Sequence, residues 1–271
     1  MSALALGRAP SWPRVRAQGG SCPTVRTIQV DGVTARYLCL GSGAPVLLVA
    51  SPLVPAWSYE RVMRALASTF TVIVLELPGA GASERLEHAW TPARYGAWIV
   101  EMVRRLPLAR PVLIGHGDAA SAVACAARLA PGDIAALVLA VRSVDGTKSG
   151  VGSALAGHAP LRRVPRMLAN ALRHRRTFLE HLRADPGELV RAVRDLSVPT
   201  LLACGDGPGS SSLASASRLR TSLPSARLLV GAASRDWLTT APDAFAEGVR
   251  RFLAGARDPS RRLHPGDGGG T

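Results

Sequence analysis

Two rhythms of apolar and polar positions alternate along this chain. Residues 25–30 (Val-Arg-Thr-Ile-Gln-Val) and 33–39 (Val-Thr-Ala-Arg-Tyr-Leu-Cys) flank Asp31-Gly32. Two alternating runs around Asp-Gly predict a β-hairpin. Unbroken apolar runs follow at 45–49, 71–75, 111–114, 134–139, 200–203 and 227–230. Strands covered on both faces have no polar side to show, so such runs predict the strands of a buried sheet. Helix-period segments lie between them at 58–67, 91–106, 119–130, 211–222 and 242–254. Strand and helix in alternation imply right-handed crossovers and parallel pairing. The predicted class is α/β: a mostly parallel central sheet entered through an antiparallel hairpin, with helices on both faces.

The rhythm breaks once. Between 142 and 196 no strand pattern occurs, and helices are predicted around 164–184 and 186–196. This stretch reads as a helical cap inserted between two strands of the sheet. The expected organisation is a disordered leader (1–22), the first part of the core (23–142), the cap (143–196), the second part of the core (197–256) and a tail without the apolar content to order it (257–271).

With 271 residues, of which 47% are hydrophobic and 19% charged, the chain can bury one sizeable core and predicts one domain. No apolar run reaches the roughly 18 residues of a membrane span. The apolar stretch before Arg8, Arg14 and Arg16 is too short for a signal-peptide core, so a cytoplasmic protein is expected. Cys22, Cys39, Cys125 and Cys204 are scattered, which fits reduced thiols better than a disulfide frame or a metal site. The net charge of +14 invites nucleic-acid binding. Lys148 is the single lysine among 33 basic residues, however, and the arginines are spread along the chain. That is the composition of a GC-rich bacterial genome and a solvated basic surface. The expected partner is a small-molecule ligand or substrate, with no nucleic acid, no membrane, no cofactor and no metal; a homodimer is left open.

Three stretches carry recognisable chemistry. Glu76-Leu-Pro-Gly-Ala-Gly-Ala-Ser83 follows one predicted strand, and Gly115-His116-Gly117-Asp118-Ala119 follows another and opens a helix. Val198-Pro-Thr-Leu-Leu-Ala-Cys-Gly205 is followed later by Pro242-Asp-Ala-Phe245 and a final amphipathic segment. In order and spacing these resemble the α/β-hydrolase superfamily over roughly Val25 to Leu253. The first looks like its D-x-x-G-x-G-x-S turn, the second its nucleophile elbow G-x-S-x-G, the third its acid strand, histidine loop and last helix. The resemblance implies an α/β-hydrolase fold with a small helical cap.

It also implies where a Ser-His-acid triad should stand, and the chain departs from it there. The nucleophile position falls on Gly117, which has no side chain to attack a carbonyl. Asp118 stands one place too late for the aspartate nucleophile of dehalogenase-like relatives. The oxyanion loop, usually His-Gly, corresponds to Ala50-Ser51, and its donor would be Pro52, which has no N–H. One missing oxyanion donor costs about 100- to 1,000-fold in rate. Gly207 takes the place of the acid, with Asp206 a displaced candidate and Asp145 a second. The histidine position falls on Arg235, and no histidine occurs between His181 and His264. Triad members act as a unit, so coordinated losses read as release from that chemistry.

The remaining candidates are Asp118, His116, Asp206 and Arg235 for acid–base or charge roles. Ser51, Pro52, Leu53, Gly117, Asp118, Arg235 and Trp237 are the expected ligand contacts. Each has a plainer reading. His116 packs beside the sheet in this family, Asp118 caps the elbow helix, and Arg235 pairs with Asp236 on the surface. The cap arginines, among them Arg173, Arg175 and Arg176, form a wet face more readily than an anion-admitting lid. Three functions compete: a pseudoenzyme binding a small apolar or acyl-type molecule under the cap, a non-covalent lyase, isomerase or cyclase using the same pocket, and an ester or thioester hydrolase with a relocated triad. In the last, Ser51, Ser121 or Ser234 would act with His116, His158, His174 or His181.

Overall fold

The computed structural model describes residues 22–52, 54, 56–106, 108–141, 164–182, 185, 187–206, 212–232 and 237–257. The expected leader and tail and much of the segment after 142 lie outside these residues. Strands β1 (Thr24–Val30) and β2 (Val33–Leu40) form the antiparallel hairpin. Asp31 and Gly32 take φ +51° and +79° at its tip. Positive φ at both central positions is the turn whose twist matches paired strands, and it explains the Asp-Gly pair. The strands β3 (Ala44–Val49), β4 (Phe70–Leu75), β5 (Val112–His116), β6 (Ala136–Ala140), β7 (Thr200–Asp206) and β8 (Arg227–Ala232) complete one sheet. Its order is β1-β2-β4-β3-β5-β6-β7-β8, antiparallel from β1 through β4 and parallel from β4 to β8.

Each central strand is buried on both faces because its side chains alternate between two cores. Leu47, Val49, Ile73, Leu75, Leu113, Leu137 and Leu139 face one; Val46, Leu48, Val72, Val74, Val112, Ile114 and Val138 face the other. The first core is covered by α2 (Pro92–Arg105), α3 (Ala119–Leu129), α6 (Gly187–Ala192) and α7 (Ser212–Ser222). The second is covered by α1 (Glu60–Ala67) and α9 (Pro242–Arg257), with the short α8 (Trp237–Thr240) before it. Helix α3 is built mostly of alanine, so α2 packs closely on it. A Cβ on Gly96 would stand 2.7 Å from Cβ of Cys125. Two helices between β6 and β7, α4 (Val164–Arg173) and α5 (Arg175–Leu182), join neither layer. They reach over the carboxyl ends of the strands. Helix α6, which the sequence pattern groups with them, instead buries Leu189 and Ala192 beside α3. No helix among the described residues is long and apolar enough to cross a membrane.

Candidate functional site

Open parallel sheets present ligands at the carboxyl ends of their strands, and here three features meet. The first is the turn from β5 to α3. Gly115 is the last residue but one of the strand, where a Cβ would lie 2.8 Å from Cα of Ala120, so only glycine lets the helix start this close. Gly117 takes φ +56° at the apex, its N–H donating to Ala140 O at 3.0 Å and its carbonyl accepting from Ala120 N–H at 3.0 Å. This is the sharp strand-to-helix turn that lifts a residue over the sheet. The lifted residue has no side chain. Asp118 follows in ordinary helical backbone (φ −66°) and is exposed. It makes no capping hydrogen bond to α3. The expected cap role is thereby corrected: its Oδ2 accepts from Oγ of Ser51 at 3.3 Å, which turns the carboxylate toward the loop after β3.

That loop is the second feature. Ser51 is buried, and its backbone N–H donates to the Tyr59 hydroxyl at 2.9 Å. The hydroxyl also meets Nδ1 of His116 at 2.8 Å, and the two rings stand edge to face with centroids 5.5 Å apart. His116 is only 1% exposed, and its Nδ1 is held by Tyr59. Both positions of this loop that could donate to an oxyanion are thus unsuited to it. The Ser51 N–H already has an acceptor, and Pro52 has no N–H.

The third feature is the turn after β4. Glu76 is buried and accepts two hydrogen bonds from Arg36, Nε at 2.7 Å and Nη2 at 2.9 Å. It also accepts from the Ala82 N–H at 2.9 Å. Ser83 closes the turn, donating from Oγ to Glu76 O at 2.7 Å and accepting from Arg36 N–H at 2.9 Å. A Cβ on Gly81, where φ is +58°, would collide with the Glu76 carboxylate. The glycine is required by the carboxylate it wraps.

Helices α4 and α5 dock onto these features through one polar stripe. Asn170 Nδ2 donates to Pro52 O (3.4 Å), His174 Nε2 meets Gly81 O (2.9 Å), and Thr177 Oγ1 donates to Gly79 O (2.9 Å). Glu180 accepts from the Ala89 N–H and meets His88 Nδ1 at 3.1 Å. His181 stacks on Tyr95, with centroids 6.0 Å apart and planes 26° apart. Tyr95 is buried enough to push its phenol up to about 12, and it donates to Pro78 O at 3.1 Å. His181 is lowered, first by burial, against the opposing pull of the Asp118 carboxylate and then of Glu180. His174 is likewise lowered, chiefly by burial.

Residues 170, 174, 177 and 181 are spaced as one helix face, a signal available in the sequence but masked there by the surrounding arginines. Arg173, Arg175 and Arg176 point to solvent, and Leu172 is 67% exposed. Trp237, expected at the ligand, is instead a core side chain. Its ring packs over Gly231 and stands edge to face with Phe245 at 5.6 Å. Leu53 and Arg235 lie outside the described residues, as do Asp145, His158, Gly207 and Ser234. Asp206 ends β7, and its backbone alone is described. Tyr59, Asn170, Thr177 and Glu180 were not anticipated. No group of three or more histidine, cysteine or acidic side chains among the described residues is arranged to hold a metal.

The model of the alpha/beta hydrolase family matches residues 40–269. No curated protein matches the chain. Among solved structures, a membrane phospholipase A described as a bacterial virulence factor is similar at 19% identity. The match has a TM-score of 0.75 and covers 88% of each chain. E-2-(acetamidomethylene)succinate hydrolase is similar at 18% identity and TM-score 0.68, over 86% of this chain and 100% of that one. Est816, an N-acyl homoserine lactone degrading enzyme, is similar at 20% and TM-score 0.66, over 84% and 100%. At these identities the likeness is one of fold.

Proposed function

The chain belongs to the alpha/beta hydrolase family, and from that premise we propose that it is a non-hydrolysing member holding a small molecule between the elbow and helices α4 and α5. The observation that carries this reading is Gly117 at the apex of an otherwise complete elbow, at φ +56°. A turn of this kind is strained and is maintained to present a side chain; here it presents backbone alone. The neighbouring loop supports the same reading, since Tyr59 occupies the Ser51 N–H and Pro52 offers none. Among the described residues Ser51 forms no serine-histidine pair either: its hydroxyl donates to Asp118.

The test is hydrolysis of short- and medium-chain p-nitrophenyl esters and a thioester by the native protein and by Gly117→Ser. Neither is expected to turn over above the buffer rate, because a serine restored at the apex still lacks a base and one oxyanion donor. Robust turnover by the native protein would overturn the reading.

A second reading rests on His181, which stacks on Tyr95 and leaves a buried Nε2 without a partner among the described residues. Burial keeps the imidazole neutral near pH 7, and a neutral imidazole can accept a proton. The same pocket would then support a lyase or isomerase reaction without a covalent step. Loss of a substrate-dependent proton transfer in His181→Gln would distinguish it from binding alone.

A further inference from the structure

The groups left over once the cap is docked define what the pocket can recognise. Asn170 spends its Nδ2 on Pro52 O. Because that partner is a carbonyl, the amide must face it with nitrogen, and Oδ1 is what remains. Oδ1 is buried with no hydrogen-bond partner among the described residues. An acceptor in this state is costly unless a donor arrives.

Asp118 offers the same chemistry nearby. Its Oδ2 takes one bond from Ser51, the residue before Pro52, so the carboxylate and the amide oxygen flank a single loop. The rest of the carboxylate is exposed. Among the described residues it forms no ion pair, although the chain carries 33 basic residues and a net charge of +14. A carboxylate so placed in so basic a protein keeps an open coordination that a surface arginine would ordinarily fill. Nε2 of His181 on α5 is also buried without a partner among the described residues.

We propose that Asp118 and Asn170, with Ser51 orienting the carboxylate, bind a cationic, hydrogen-bond-donating headgroup, a protonated amine, on the small molecule held under the cap. This rests on the reading that the chain binds a small molecule there, and it narrows the ligand class. An ammonium group has three donors and no acceptor, which matches a site that offers acceptors. A carboxylate head would meet Asp118 as a like charge. The basic surface therefore does not announce the ligand's sign: Arg173, Arg175 and Arg176 face solvent, whereas what Asn170 and Asp118 leave unspent beside the loop is acceptor capacity.

Three probes of equal length test this: hexylammonium, hexanoate and hexanol, titrated into the full chain at 0.15 M salt (about an 8 Å screening length). Binding is followed through the side-chain NMR resonances of Asn170 and His181. Hexylammonium is expected to bind at least about tenfold tighter than hexanoate, the span of one charge-assisted hydrogen bond. Asp118→Asn should bring the two to parity, and Asn170→Leu should weaken hexylammonium several-fold while leaving hexanol unchanged. Equal or tighter binding of hexanoate overturns the headgroup inference and leaves the binding pocket standing. An amine preference that survives Asp118→Asn overturns it as well, because the cation is then held elsewhere. Failure of all three probes to perturb either resonance overturns both the inference and the pocket reading.

Discussion

Replacing Glu76 with alanine tests how the strand-end architecture is held together. Three well-formed hydrogen bonds converge on that carboxylate, two from Arg36 (2.7 and 2.9 Å) and one from the Ala82 N–H (2.9 Å). Its side chain is 4% exposed, while that of Arg36 is 30% exposed. Removing one member of a buried pair costs about 3–5 kcal/mol when the other is left uncompensated. Arg36 can turn partly to water, so the lower end applies, about 3 kcal/mol. In a domain of this size that lowers the melting temperature by roughly 6–12 °C. Glu76→Gln keeps the shape and an acceptor for Ala82 but loses the charge, and it should cost about half as much. Chemical and thermal unfolding followed by circular dichroism measure both. The substitution carries a further consequence, because the turn that Glu76 ties presents Gly79 O and Gly81 O to Thr177 and His174. Loosening it should shift the His174 ring resonances before global unfolding. A loss below about 0.5 kcal/mol in Glu76→Ala, the range of an ordinary surface substitution, would refute the argument. So would a parent-like His174 in a destabilised variant.

Gly117→Ala should cost about 1–2 kcal/mol, since an L-residue must then adopt φ +56°; an unchanged unfolding midpoint would contradict the elbow geometry. Gly115→Ala places a Cβ 2.8 Å from a backbone atom of α3, and overpacking of this kind costs about 1–3 kcal/mol, read by the same unfolding curves. His174 is held below its ordinary value by burial, so as pH falls the unfolded chain takes up the proton first. Stability should be complete above about pH 6.5 and decline below it. His174→Gln should flatten that decline in urea titrations at pH 7.5 and 5.5, and an unaltered pH slope would sink the assignment.

The sheet was legible because its strands are covered on both faces. Runs such as 45–49 and 72–75 contain no polar residue, and the structure places them in β3 and β4. The hairpin was legible for a different reason: Asp31-Gly32 is one of few pairs that tolerate positive φ at both turn positions. Strand ends were harder to read. The sequence run 200–203 stops short of β7, which continues through Cys204 and Gly205 to Asp206, because pairing with β8 sustains positions that have no apolar signature. In the site, Gly117 was readable from its motif. The partner of Asp118 was not, because Ser51 lies 67 residues away and only the sheet order brings β3 beside β5. Trp237 misled for the opposite reason. A tryptophan near an expected histidine loop suggests a ligand wall, yet Gly231 leaves a seat for the ring in the core.

Composition alone would suggest an acidic ligand, a reading already set aside for a solvated arginine face, and the geometry argues further against it. Net charge is a property of the whole surface, and at physiological salt its field is screened within about 8 Å. Recognition is decided inside that distance by groups whose partners are already assigned. Around residues 51 and 52 the donors are spent: the Ser51 N–H on Tyr59, the Ser51 hydroxyl on Asp118 and the Asn170 amide nitrogen on Pro52. What remains there is acceptor capacity on Asp118 and Asn170. The same hydrogen bonds leave that loop without an N–H for an oxyanion. The proposed lack of hydrolysis and the proposed preference for a donor headgroup thus draw on one set of hydrogen bonds. A variant that frees one of those donors should move both properties together. Tyr59→Phe, which releases the Ser51 N–H, is the substitution that puts this linkage to the test. Weaker discrimination between hexylammonium and hexanoate is expected, and an unchanged ratio would separate the two properties.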